Sequence, residues 1–78
     1  MTMKIEIFSK ANCPNCREAK RILLMNNLDY IEYDVGQPEH LVELMLRHPE
    51  ARQMPQIFVD GNRVGGLAGL LVALDVLL

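Results

Sequence analysis

The period of apolar and polar positions changes several times along the chain, and each change marks an element. Residues 3–8, MKIEIF, alternate Lys4 and Glu6 with apolar neighbours before running into Ile7-Phe8, which predicts a strand. Residues 9–12 read as a polar loop. Cys16, Ala19, Ile22 and Leu23 then recur at helical spacing, so a helix is expected from Pro14 to about Asn26, stopped by Asn26-Asn27. Pro14 suits the first turn of that helix, where its missing N–H is no loss. Residues 29–35, DYIEYDV, set Tyr30, Glu32 and Asp34 against Ile31, Tyr33 and Val35, a second strand. Gly36 and Pro38 open a second helix with Leu41, Leu44 and Met45 inward, ending before Pro49. Residues 56–59, QIFV, form a third strand, and Asp60-Gly61 or Gly61-Asn62 makes a tight hairpin turn into a short fourth strand at 62–64. Gly65-Gly66 begins a last helix with Leu67, Leu70, Leu71 and Leu74 along one side.

The predicted order is β-α-β-α-β-β-α. A right-handed crossover makes the first two strands parallel, and the hairpin makes the last two antiparallel. The fold class is therefore α/β, a mixed four-stranded sheet flanked by helices. With 78 residues the chain reads as a single domain, 1–78, near the lower size limit for a self-sufficient core. Half its residues are hydrophobic, but only two Tyr and two Phe are aromatic and Trp is missing, so the core must be aliphatic. Met25 and Met45 are expected as core fillers. Leu77 and Leu78 fit either a frayed end or a contact surface.

Charge narrows the function classes. The net charge is −2, without the basic surplus of a nucleic-acid binder. No apolar stretch reaches the length of a membrane span, and Asp75 interrupts the longest one. The N-terminal residues meet charge at once and do not read as a signal peptide. A cytoplasmic, reducing compartment is the expectation, and single-domain size suggests a monomer. In such a compartment two cysteines point to catalysis or metal binding rather than to a staple.

Both cysteines fall in SKANCPNCREAK, residues 9–20. With Cys13 at the mouth of the first helix, unpaired backbone N–H groups and the positive end of the helix dipole face its sulfur. A thiolate is stabilised there. Lys10 and Arg17 can add positive charge, although Lys10 fits a solvated loop equally well. Lys20 and Arg21 read as a solvated helix face. Cys16 lies one turn further in, so Cys13 is the attacking thiol and Cys16 the resolving one. Their spacing lets a disulfide close with little rearrangement, and so small a loop contributes little to stability. Further on, Met54-Pro55 precedes a strand. Proline fits a strand start, and a cis bond there would bring the backbone of Met54 beside the helix mouth.

Taken together, SKANCPNC, QMPQIFVDG and VGG at these spacings resemble small bacterial glutaredoxins of the CPYC type, over essentially the whole chain. The resemblance implies a thioredoxin-like (glutaredoxin) fold, a cis Met54-Pro55 bond, and dithiol-disulfide exchange through Cys13 and Cys16. It also implies glutathione as co-substrate, with no bound cofactor, and disulfide-containing proteins as substrates. The glutathione-contacting positions would be Lys10, Pro14, Asn15, Gln53, Met54, Pro55, Gly66, Leu67 and Ala68. Three positions depart from the family pattern. Asn15 replaces a Tyr, Gln53 replaces a Thr, and Leu67-Ala68-Gly69 replaces a Cys-Asp-Asp whose acids hold the amino end of glutathione. The apolar replacement would also suit a related redoxin, recharged by thioredoxin reductase and serving ribonucleotide reductase.

A metal or iron–sulfur binding module is the rival from another class. Zinc would need two ligands beyond the thiolates, and His40 and His48 are the candidates, although both read as surface residues. Proline after the first Cys disfavours a cluster. A pure interaction module would leave both thiols without a task.

Overall fold

The structure is a computed structural model and describes residues 3–78. Seven elements follow in the predicted order: β1 (Ile5–Ser9), α1 (Pro14–Met25), β2 (Ile31–Asp34), α2 (Pro38–Arg47), β3 (Gln56–Val59), β4 (Asn62–Gly65) and α3 (Leu67–Leu77). The strands form one sheet in the order β2-β1-β3-β4. β1 runs parallel to β2 and antiparallel to β3, and β3 runs antiparallel to β4. The hairpin turn is Asp60-Gly61, with φ of 52° and 84°. Two successive positive φ values give the turn whose twist matches the flanking strands.

Alternation along the two central strands sorts the core into two layers. Ile5 and Ile7 of β1, with Ile57 and Val59 of β3, face α1 and α3, where Ala19, Leu23, Leu70 and Leu74 close over them. Phe8 and Phe58 point the other way, against Leu44 of α2 and Ala51. Tyr33 and Met45 pack at the edge of this second cluster. α1 ends as expected at Asn26. Asn27 takes φ 55°, and the N–H groups of Asn27 and Leu28 donate to the carbonyls of Leu24 and Leu23. That left-handed cap satisfies carbonyls the helix would otherwise leave open.

Several expectations need correction, the aliphatic core among them, since Phe8 and Phe58 are buried at its centre. Glu6 does not reach solvent: it is 2% exposed, because β1 is central and both of its faces are covered. Met25 fills no core and is 67% exposed, beside the Arg21 guanidinium. Leu41 and Leu71 also lie on exposed surface. The sheet is only four strands wide, so each helix buries a stripe narrower than its apolar pattern suggests. Lys20 is not simply solvated: its Nζ lies 2.8 Å from Glu32 of β2.

Buried Glu6 is matched in full. Arg47 of α2 donates to its two oxygens at 2.9 and 3.0 Å, and the Tyr33 hydroxyl donates at 2.8 Å. The Arg47 guanidinium also sits 5.4 and 5.1 Å from the ring centroids of Phe8 and Phe58, and Nε donates to Glu43. The Arg47 bonds hold the Glu6 carboxyl below its ordinary 4.5, against the opposing effect of burial, with Tyr33 adding to the lowering. A carboxyl whose folded pKa is depressed contributes stability above its unfolded pKa and loses it as pH falls through the folded value. The urea midpoint is therefore expected to drop as pH falls below about 4.5. Glu6→Gln should flatten that drop and cost about 2–3 kcal/mol at neutral pH, since Arg47 keeps part of its surface in water. An unchanged acid slope in the variant would remove Glu6 from this account.

α3 approaches β4 closely. A Cβ built on Gly69 would overlap the carbonyl oxygen of Val64, a backbone atom that cannot step aside. Gly69→Ala should destabilise by about 1–3 kcal/mol, as overpacking does. Equal urea midpoints for the two proteins would contradict the close approach.

Candidate active site

The β1–β3 ladder assembles the site. Its register ends with Phe8 paired to Gln56, and Lys10 and Met54, each two residues past that pair, both line the cleft. The loop leaving β1 is thereby laid beside the turn entering β3. Asn12 takes φ 56°, and the chain then enters α1 with Cys13 as its N-cap and Pro14 in its first turn. The Met54-Pro55 bond is cis. Gln56, buried, donates its side-chain amide to the Gln53 carbonyl at 2.8 Å and accepts from Arg63 at 3.0 Å, which fixes the turn from beneath.

Cys13 and Cys16 are joined as a disulfide, their Cα atoms 5.2 Å apart. The backbone N–H of Cys16 donates to the Cys13 sulfur at 3.1 Å. The same sulfur lies 3.6 Å from the Met54 carbonyl oxygen. Both cysteines are buried, at 5% and 1% exposure, but only Cys13 lines the cleft above them. The asymmetry expected from sequence is thus a difference of access rather than of bulk burial.

The cleft has a volume of about 430 Å³. Of the residues expected there, Lys10, Pro14, Asn15, Gln53 and Met54 line it together with Cys13. Pro55 is buried beneath the turn. Gly66, Leu67 and Ala68 do not line it. Leu67 packs against the core cluster under α1 and α3, and Ala68 is exposed at the start of α3. Gly66 adjoins the turn, since a Cβ built there would lie 3.3 Å from the Pro55 carbonyl oxygen. Arg17 is exposed and not part of the cleft.

Two lining residues were missed in sequence, Asn12 and Arg52. Each is the immediate neighbour of a residue chosen there, and Arg52 carries a charge, so adjacency was the available signal. His40 and His48 do not line the cleft. His40 Nδ1 lies 3.0 Å from the Asp34 carbonyl oxygen, and His48 Nδ1 lies 3.3 Å from Glu50. Among the described residues no group of three or more His, Cys, Asp and Glu side chains stands ready to hold a metal ion. No described helix is long and apolar enough to cross a membrane.

A mixed sheet with a dithiol capping a helix beside a cis-proline turn defines a thiol–disulfide redox protein of thioredoxin-like fold. Comparison with known proteins makes that class specific. Residues 5–64 match the family described as Glutaredoxin. Glutaredoxin 3 of Escherichia coli K12 is 32% identical over 71 residues, covering 91% of this chain and 84% of that protein. A probable glutaredoxin of Synechocystis is 34% identical over 64 residues, covering 81% of this chain and 59% of its own length. The crystal structure of glutaredoxin 1 from Francisella tularensis, complexed with cacodylate, superposes with a TM-score of 0.77 at 26% identity, covering 97% of this chain and 96% of that one. The chain belongs to the glutaredoxin family of thiol–disulfide oxidoreductases.

The N-cap position sets a test on the reduced protein. A helix N-terminus lowers the pKa of a thiol beneath the ordinary value of about 8.5. Alkylation of Cys13 by iodoacetamide should therefore persist well below that pH, while Cys16 stays slow. Two thiols that titrate alike, as in a free peptide, would contradict the assignment.

Proposed function

We propose that the chain is a glutathione-linked dithiol-disulfide oxidoreductase that reduces protein disulfides or glutathione mixed disulfides through its Cys13-Pro14-Asn15-Cys16 site. The observation that carries this reading is the Cys16 N–H directed at the Cys13 sulfur, at the floor of a cleft that admits a substrate. In the reduced protein the same donor and the helix dipole favour the Cys13 thiolate over the thiol.

The thiolate attacks one sulfur of the substrate disulfide. The substrate S–S bond breaks, a new one forms to Cys13, and the departing thiolate takes a proton from water. Cys16, losing its proton, then attacks the Cys13 sulfur, closes the intramolecular disulfide and releases the second substrate thiol. Two electrons have passed from the dithiol to the substrate. Two glutathione thiolates in succession return them, and oxidised glutathione leaves. The extended backbone of either partner pairs beside Met54, as a short added strand. Lys10 and Gln53 flank that position and suit a carboxylate and a polar group of glutathione.

Cys13→Ser is expected to abolish reduction of both substrate types. Cys16→Ser should keep a substantial share of activity on glutathione mixed disulfides, because a second glutathione can replace the resolving thiol. Equal loss in both variants would contradict these roles. Oxidised protein given NADPH with glutathione and glutathione reductase should be reduced faster than with NADPH and thioredoxin reductase. The reverse order would overturn the glutathione link.

A further inference from the structure

The charges around the cleft go further than the reaction. Two cations line it, Lys10 from the β1–α1 loop and Arg52 from the segment before the cis-proline turn, and none of its lining residues is acidic. Arg52 is tethered: one terminal nitrogen donates to the carbonyls of Pro49 and Ala51 at 3.2 and 3.0 Å. A guanidinium has five N–H donors in a rigid fork, so donors beyond that nitrogen remain for a ligand. The first turn of α3, on the Pro55 side, adds no acid either. Leu67 is committed to the core, Ala68 carries only a methyl, and Gly69 has no room for a side chain. The first acid along α3 is Asp75, two turns on.

Glutathione carries two carboxylates and one ammonium at neutral pH. The cleft has charged donors for carboxylates and no charged acceptor for an ammonium, which two nearby cations would repel. We propose that the cleft selects its small-thiol partner by carboxylate alone, so that its substrate class is carboxylate-bearing thiols whose amine is acylated or missing as well as glutathione. This rests on the glutathione-linked reading above and specifies which part of the molecule is read.

The test is a single-turnover one on the fully reduced protein, so that no recycling enzyme enters. Three mixed disulfides of one fluorescent peptide are compared, carrying glutathione, N-acetylglutathione or glutathione diethyl ester. Cys13 attacks the small-thiol sulfur in each case and the peptide thiol is released. N-acetylation should leave the second-order rate unchanged or raise it, while esterification should lower it about tenfold, the scale of a charge-assisted contact. Arg52→Ala should narrow the gap between acid and ester, and Arg52→Lys should largely retain it. A tenfold loss on N-acetylation with glutathione still used well would overturn this inference alone. An undiminished gap in Arg52→Ala would overturn the role of Arg52. Rates for all three no faster than with a simple dithiol would overturn the glutathione-linked reading and this inference with it.

Discussion

The antiparallel ladder between β1 and β3 is the constraint on which the site depends. Cys13 and the Met54 carbonyl are 41 positions apart in sequence, and nothing local brings them together. The pairing of Phe8 with Gln56 does so, because a ladder in register fixes what lies just past its end. A slip of β1 by one residue would turn Ile7 out of its layer and put Glu6 or Phe8 in its place. The hydrophobic layers therefore hold the register, and the register holds the cleft. Gln56 extends that hold by anchoring the Gln53 carbonyl from within the sheet.

The same ladder explains why a carboxylate is buried in the centre of so small a protein. Glu6 lies on the face that α2 covers, where Arg47 and Tyr33 meet it. A buried ion pair is weak evidence of net stabilisation, since both partners lose water. Its consequence here is geometric. Arg47 is bound to β1 through Glu6 and lies against Phe8 and Phe58, so α2 is anchored to the two strands that frame the cleft.

α3 shows a different compromise. Its approach to β4 is close enough to require Gly69, and its first turn offers the cleft no charge. Positive charge is left to Lys10 and Arg52, both on loops at the rim. Reactivity and selectivity are thus separately placed. The sulfur sits on the helix cap at Cys13, and the cations stand at the rim of the cleft.

Most of the architecture was legible in the chain. All seven elements were readable from periodicity, turn residues and caps, because those signals act over a few residues. The dithiol was legible for the same reason: Cys13, Pro14 and Cys16 lie within one helical turn, and their asymmetry follows from the helix start. Met54-Pro55 was legible only through the family resemblance. Burial of Glu6, exposure of Leu41, Leu71 and Met25, and the entry of Arg52 into the cleft were not legible. The sequence by itself determined the helices and strands and the redox chemistry, which depend on near neighbours. Only the tertiary structure decided which charges surround the sulfur, because those distances are set by strand pairing between residues far apart in the chain.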